Sequence, residues 1–140
     1  MRGPKLSDFA GEWRIERQIT DHLAGDKLKF SGTASFTPED DSLHYLETGI
    51  LQRSGQADMT ASQRYLWRQT EGGIEVFFAD GRFFHLIENA ERANAVHDCP
   101  PDFYRVAYDF SDFSRWNSRW RVTGPRKDYE MTSVYCRAAA

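Results

Sequence analysis

The feature that most constrains this chain is the alternation of apolar and polar residues in short runs. In "EWRIERQIT" at 12–20, Trp13, Ile15 and Ile19 share one face, while most of the polar side chains point the other way. "KLKFSGTASF" at 27–36 repeats the pattern. A period of two residues is typical of β-strands with one buried face. No segment shows the 3.6-residue period of a long helix.

About ten such runs follow one another, separated by turn residues over the short lengths that hairpins use. A succession of hairpins without helices must close or stack its sheet, because free strand edges promote aggregation. The chain of 140 residues is long enough for one core. We therefore predict one all-β domain over 1–140, an antiparallel up-and-down β-barrel of about 8–10 strands. A short helical turn at "KLSDFAG", 5–11, precedes the first strand.

The Gly-x-Trp triplet at 11–13, placed at the head of the first strand, resembles the signature of the lipocalins and their calycin relatives. In that superfamily the Trp closes the barrel floor and an Arg from the last strand lies across its ring. The resemblance implies that Trp13 is a structural plug and that Arg137 covers it, with Arg119 and Arg121 as alternatives.

Three further strings resemble an uncharacterised bacterial domain-of-unknown-function family, DUF6314-like, with a lipocalin-like or calycin-like barrel: "DGRFFH" at 80–85, "HDCPPDFY" at 97–104 and "GPRKDY" at 124–129. This resemblance implies a fold and no activity. The related fatty-acid-binding proteins hold a carboxylate with Arg-x-Tyr on the last strand, whereas residues 135–137 read Tyr-Cys-Arg. The carboxylate site of those relatives is therefore not carried over.

Four polar residues fall on otherwise apolar strand faces: Arg17, Glu47, His85 and His97. The inner face of a barrel is where a ligand binds. A buried charge without a partner is strongly destabilising, so each of these groups needs a protein partner or a ligand. Two interpretations stay open. Either Arg17 and Glu47 pair with each other or with water while His97 bonds a backbone carbonyl, or these side chains contact a ligand.

Aromatic residues repeat at the same two-residue period, and the chain has 10 Phe, 6 Tyr and 4 Trp. Such rings either fill the barrel or line a pocket for a flat ligand, and their number favours a cavity. Three pairs each face one side of the sheet: Tyr65 and Trp67, Tyr104 and Tyr108, and Trp116 and Trp120. The residues predicted to bind a ligand are Arg17, Glu47, Tyr65, Trp67, His85, His97, Tyr104, Tyr108 and Trp120.

The favoured functional hypothesis is a non-enzymatic barrel that binds a small apolar, aromatic or anionic ligand. An enzyme that uses His85 or His97 as general acid or base is the alternative. Nitrobindin-like relatives bind haem through an axial His, so the resemblance also leaves haem binding open. The sequence identifies no ligand or cofactor. If an interior His becomes protonated, anion binding should strengthen as the pH falls through the His range.

Charge and composition exclude several other classes. The net charge is −3 without a basic block, so a nucleic-acid partner is not predicted. No apolar run has the length of a signal peptide or a membrane span, so we expect a cytoplasmic protein without a membrane partner. A homodimer is left open.

Two local features complete the analysis. Cys99 and Cys136 lack metal-binding spacing, so we predict no metal site and two free, buried or half-buried thiols. Arg126 and Lys127 follow a Gly-Pro turn at one end of the predicted barrel. They are either a solvated turn or cations that attract an anionic group.

Overall fold

The computed structural model of the protein describes residues 2–138, which form ten antiparallel strands after one 3-10 turn, Leu6–Phe9. The predicted barrel and the helical turn before it are confirmed. Within these residues no helix is both long enough and apolar enough to span a membrane. The strands are β1 (Gly11–Asp21), β2 (Asp26–Glu39), β3 (Ser42–Arg53), β4 (Met59–Thr70), β5 (Gly73–Phe78), β6 (Phe83–Glu88), β7 (Arg92–Cys99), β8 (Asp102–Asp109), β9 (Arg115–Thr123) and β10 (Asp128–Arg137).

The strands form one sheet in the order β6-β5-β4-β3-β2-β1-β10-β9-β8-β7. Every neighbouring pair is a hairpin except β1 with β10, which joins the two ends of the chain. The edge strands β6 and β7 face each other across a seam, where the rings of Phe84 and His97 lie 5.2 Å apart. The barrel is therefore nearly closed.

The two-residue alternation decides which side chains enter the core. On β1, Trp13 and Ile15 are fully buried, and the predicted inner-face residues of β2 are buried as well. At the centre of β2, Gly32 lies opposite Gly49 of β3. A Cβ atom at Gly32 would come within 2.1 Å of the Thr48 carbonyl oxygen, so only glycine allows this close approach of the two strands.

Strand β6 departs from the predicted pattern. Strict alternation would place Phe83 and Ile87 on the inner face together with His85, but Phe83 is 49% exposed. A register shift between Val76 and Phe77 pairs Val76 with His85 and Phe77 with Phe83, which leaves Phe84 as an extra residue. Both Phe84 and His85 are buried as a result. A β-bulge of this kind leaves no trace in a two-residue pattern.

The 3-10 turn closes one end of the barrel. Phe9 is fully buried, and its carbonyl oxygen accepts a hydrogen bond from Trp13 Nε1 at 2.9 Å. The Arg137 guanidinium lies 4.0 Å from the Trp13 ring centroid. Arg137 also donates hydrogen bonds to the carbonyl oxygens of Asp8 and Ala10. The prediction of a Trp plug covered by Arg137 is confirmed.

The two cysteines are separate free thiols. Cys136 is half-buried on β10, as predicted, whereas Cys99 is exposed at the end of β7. The burial expected of Cys99 was wrong, because the strand reaches the turn at the barrel rim there and has no second layer to cover it.

Candidate functional site

A cavity of 660 Å³ occupies the half of the barrel opposite the Trp13 floor. It reaches the rim at Asp80, in the β5–β6 turn, and at Lys127, in the β9–β10 turn. Eleven of its 23 lining residues are Phe, Tyr or Trp. The lining residues are Arg17, Tyr45, Glu47, Gln63, Arg64, Tyr65, Trp67, Val76, Phe78, Ala79, Asp80, Phe84, His85, Tyr104, Tyr108, Trp116, Ser118, Trp120, Val122, Lys127, Tyr129, Met131 and Tyr135.

The structure brings eight of the nine predicted binding residues to this one cavity: Arg17, Glu47, Tyr65, Trp67, His85, Tyr104, Tyr108 and Trp120. The ninth, His97, is half-buried on β7 and is not part of the lining. Its ring packs at the seam against Phe84, at 5.2 Å, and against Tyr104, at 5.7 Å. His97 therefore packs on two residues of the cavity wall without lining the cavity itself.

Arg17 and Glu47 form an ion pair in the cavity wall. Arg17 Nη1 lies 2.6 Å from Glu47 Oε2, and Nη2 donates to Oε1 at 3.0 Å, so the pair is bidentate. Their side chains are only 14% and 5% exposed. On the intervening strand β2, Phe30 lies opposite Arg17 and Ala34 lies opposite Glu47, so the two side chains meet diagonally across β2. The interpretation in which these two residues pair with each other is confirmed.

Neighbouring hydroxyl groups complete the bonding of this pair. Arg17 Nε donates to Ser133 Oγ at 2.6 Å, and Arg17 Nη2 lies 3.4 Å from the Tyr135 hydroxyl. The Tyr45 hydroxyl donates to Glu47 Oε1 at 2.5 Å and is 3.1 Å from that of Tyr135. We call Arg17, Glu47, Tyr45, Ser133 and Tyr135 the arginine cluster.

The electrostatics of the arginine cluster follow from burial and pairing. Burial alone lowers the pKa of Arg17, but Tyr135 and Glu47 raise it above its ordinary value. Burial raises the pKa values of Tyr45 and Tyr135, and nearby Glu47 raises both further. Arg17 is therefore cationic and both tyrosines are neutral hydroxyl groups at physiological pH.

His85 and Tyr108 form a second polar group in the wall. His85 Nε2 lies 2.9 Å from the Tyr108 hydroxyl, and the buried Nδ1 atom has no hydrogen-bond partner within residues 2–138. The Trp120 ring packs edge-on at 5.2 Å. Burial, with a smaller contribution from His97, lowers the pKa of His85 to about 3. His85 is therefore uncharged near neutral pH. The expectation that a protonated interior His strengthens anion binding was wrong for His85.

At the rim, Lys127 ties two turns together. Its Nζ atom donates to the Tyr104 hydroxyl at 3.2 Å and lies 3.1 Å from Asp102 Oδ2. These two hydrogen bonds raise the pKa of Lys127 to about 12. Gly124 makes the arrangement possible, because a Cβ atom there would lie 2.1 Å from Asp102 Oδ1. Lys127, considered above as an anion attractor, already has a carboxylate partner.

The sequence did not identify several residues of the wall. Alternation along the strands does not link Tyr45, Ser133 or Tyr135 to Arg17. The register places Arg17 opposite Ser133 and Ile15 opposite Tyr135. Alternation along β1 and β10 indicates which of their side chains point inward. It does not show that these side chains meet, because that depends on the pairing of β1 with β10.

The nearly closed antiparallel barrel, its Trp floor and its interior cavity define a lipocalin-like β-barrel. A model of the family of unknown function DUF6314 matches residues 9–137, and the chain belongs to that family. No curated protein matches the sequence.

Two solved structures are similar in fold. The S-type phycobiliprotein lyase CpeS from Guillardia theta has a TM-score of 0.68 at 7% identity, over 96% of this chain and 91% of that chain. A redesigned β-barrel, mFAP1, bound to DFHBI has a TM-score of 0.48 at 11% identity, over 96% of this chain and 100% of that chain. The first likeness shows the fold alone, and the second is too low to support an argument.

Proposed function

We propose that this protein binds a flat, largely apolar small molecule in the barrel cavity without transforming it. The observation that carries the proposal is the 660 Å³ cavity lined by eleven Phe, Tyr and Trp side chains. Sites for small molecules have volumes of roughly 300–1,000 Å³ and combine apolar walls with a few placed polar groups. The similarity to the phycobiliprotein lyase supports the barrel fold and does not identify a ligand.

The rings of the wall are arranged to receive a flat molecule. Phe84 stacks on Tyr65 with centroids 5.8 Å apart and on Trp120 at 5.2 Å, with interplanar angles of 30° and 25°. Protein interiors are close-packed, with few voids larger than a water molecule. A space of this size beside stacked rings is therefore better explained as a binding site than as a packing defect. Aromatic ligands stack on such surfaces in offset geometry.

His85 and His97 support an enzymatic function less well than the cavity supports ligand binding. A general acid or base works best when its pKa lies near the operating pH. Burial lowers the pKa of His85 to about 3, and its Nε2 is occupied by Tyr108. His97 is outside the cavity lining. The same positions fit haem ligation poorly, because His85 Nε2 is bonded to the Tyr108 hydroxyl, His85 Nδ1 is buried, and His97 does not line the cavity.

The test is a titration with N-phenyl-1-naphthylamine, an uncharged probe whose fluorescence rises in apolar surroundings. Ser118 is 2% exposed and lines the cavity, so Ser118→Phe places a ring inside it. We expect the parent to bind the probe and Ser118→Phe to weaken binding at least about tenfold, a loss of about 1.4 kcal/mol.

The matched control is Val96→Phe, which adds a similar ring at a position that is 61% exposed on the outer face of β7. It should bind like the parent. Because an added core ring costs about 1–3 kcal/mol of stability, circular dichroism must first show that Ser118→Phe is folded. Equal binding by Ser118→Phe and the parent would place the probe outside the cavity and refute the proposal.

A further inference from the structure

We infer that Glu47 makes the cavity select uncharged ligands, and that removal of its negative charge converts the cavity into a site for anions. This inference rests on the proposed function and specifies the chemical class of its ligand. It concerns the arginine cluster, which the proposed function requires only as part of the wall.

The first step is the distribution of charge in the cavity. Among the described lining residues, Arg17 is the one cation on the inner wall away from the rim, since Lys127 belongs to a rim turn and the half of β4 that carries Arg64 is largely exposed. Every nitrogen of the Arg17 guanidinium already donates to a protein acceptor: Nε to Ser133, Nη1 to Glu47, and Nη2 to Glu47 and Tyr135. Four of its five N–H groups are therefore engaged, and both Nη atoms bond the Glu47 carboxylate.

The second step is what an incoming anion would meet. To reach Arg17 it must displace the Glu47 carboxylate or lie beside it. Like charges repel strongly where water is excluded, and displaced Glu47 would be a buried charge without a partner. An uncharged ligand meets neither cost, because the Arg17–Glu47 pair has no net charge. The intact cluster thus rejects anions although it contains an arginine.

The third step is what a change at one atom would do. Glu47→Gln keeps the shape of the side chain and an oxygen that can accept hydrogen bonds from Arg17 and Tyr45. It removes the negative charge, replaces one of the two acceptor oxygens with an NH2 donor, and leaves the buried Arg17 cation without a counterion. A ligand anion then supplies the missing charge, and its affinity rises.

A matched pair of probes measures this selectivity. 8-Anilino-1-naphthalenesulfonate has the ring system of N-phenyl-1-naphthylamine with one added sulfonate, placed beside the bridging nitrogen. Because the sulfonate is at the middle of the molecule, it cannot remain in solvent while the rings are buried. The parent should bind the neutral probe at least about tenfold more tightly than the anionic one. Glu47→Gln should shift that ratio toward the anion by at least about tenfold.

Two controls separate the role of Glu47 from other effects. Glu130→Gln removes one negative charge from a side chain that is 56% exposed and should leave the ratio unchanged. Arg17→Met with Glu47→Leu removes both charges and should keep the preference for the neutral probe. A rise in anion binding in this double variant would show that Arg17 is not the anion's partner and would overturn the inference.

The remaining outcomes of these titrations also test the inference. A parent that binds both probes equally refutes the selectivity while leaving the proposed function intact, whereas a parent that binds neither refutes both. A folded Glu47→Gln with the parent's ratio overturns the inference. If Glu47→Gln weakens the fold, the anionic probe alone should raise its Tm, and the absence of that rise is equally decisive.

Discussion

The two ends of this barrel use the same kinds of residue with opposite results. At the floor, Phe9 and Trp13 are fully buried and pack edge-on against other rings, with Phe9 5.4 Å from Trp116 and Trp13 5.3 Å from Phe113. In the other half, rings such as Tyr65 and Trp120 stand around a cavity of 660 Å³. Aromatic alternation along the strands is similar in both halves.

The floor is filled and the other half is hollow because, within residues 2–138, only the floor receives a segment from outside the strands. The 3-10 turn inserts Phe9 between the strands at the floor and fills the space there. At the rim, turn residues such as Asp80 and Lys127 border the cavity without filling it. A filled end holds the fold together, and a hollow end is free to bind a ligand. This division predicts different responses to mutation at the two ends.

The largest effect should follow a truncation at the floor. Trp13→Ala removes a ring that is 0% exposed, together with its contact to Arg137. We expect a loss of about 3–5 kcal/mol in the free energy of unfolding, measured by urea denaturation. Phe83→Ala, at an exposed position, is the control and should cost well under about 1 kcal/mol. A Trp13→Ala loss as small as that of the control would contradict the plug.

The next effect tests the charged part of the hollow half. Glu47→Leu leaves the buried Arg17 cation unpaired and should cost about 3 kcal/mol or more. Arg17→Met combined with Glu47→Leu should cost less than about 1 kcal/mol, because a buried ion pair replaced by apolar side chains is often neutral in stability. Urea denaturation of both variants and the parent checks the difference. Equal losses in the two variants would show that the pair is not coupled.

The third prediction concerns the pH dependence of stability. The pKa of His85 falls from 6.5 to about 3 on folding, so the unfolded chain binds the proton first. Stability due to His85 is therefore complete above pH 6.5 and is lost progressively as the pH falls toward 3. Between pH 6.5 and about 4.5 the parent should lose about 2 kcal/mol more than His85→Gln, whose amide does not titrate. Parallel pH profiles would show that His85 is protonated in the folded protein.

The smallest effect should follow a truncation of the cavity wall. Tyr65 is only partly buried and stacks on Phe84 at 5.8 Å. Tyr65→Leu should cost about 1 kcal/mol, the scale of one aromatic pair, since it enlarges a space that already exists. Urea denaturation measures the loss, and titration with N-phenyl-1-naphthylamine should show weaker binding. A loss as large as that of Trp13→Ala would mean that the two halves are packed alike.

Much of the candidate site was predictable because strand geometry is local. Successive side chains in a strand point to opposite faces, so Tyr65 and Trp67 share a face wherever their strand is placed. The same rule placed Arg17 with Trp13 and Glu47 with Tyr45. Phe83 was misplaced because a bulge depends on the partner strand and not on the residues of β6 alone.

The sequence by itself determined the strands, the turn before them, the Trp13 plug and the inward direction of most cavity residues. These properties depend on neighbours along the chain and on one superfamily signature. The tertiary structure alone decided that Arg17 meets Glu47 and Ser133, that His97 lies at the seam, and that the rings of one half fill the barrel while those of the other line a cavity. The contact of Arg17 with Glu47 depends on the register of β1, β2 and β3, whereas the contact with Ser133 depends on the pairing of β1 with β10 that closes the barrel. Alternation within one strand carries no information about register or about closure.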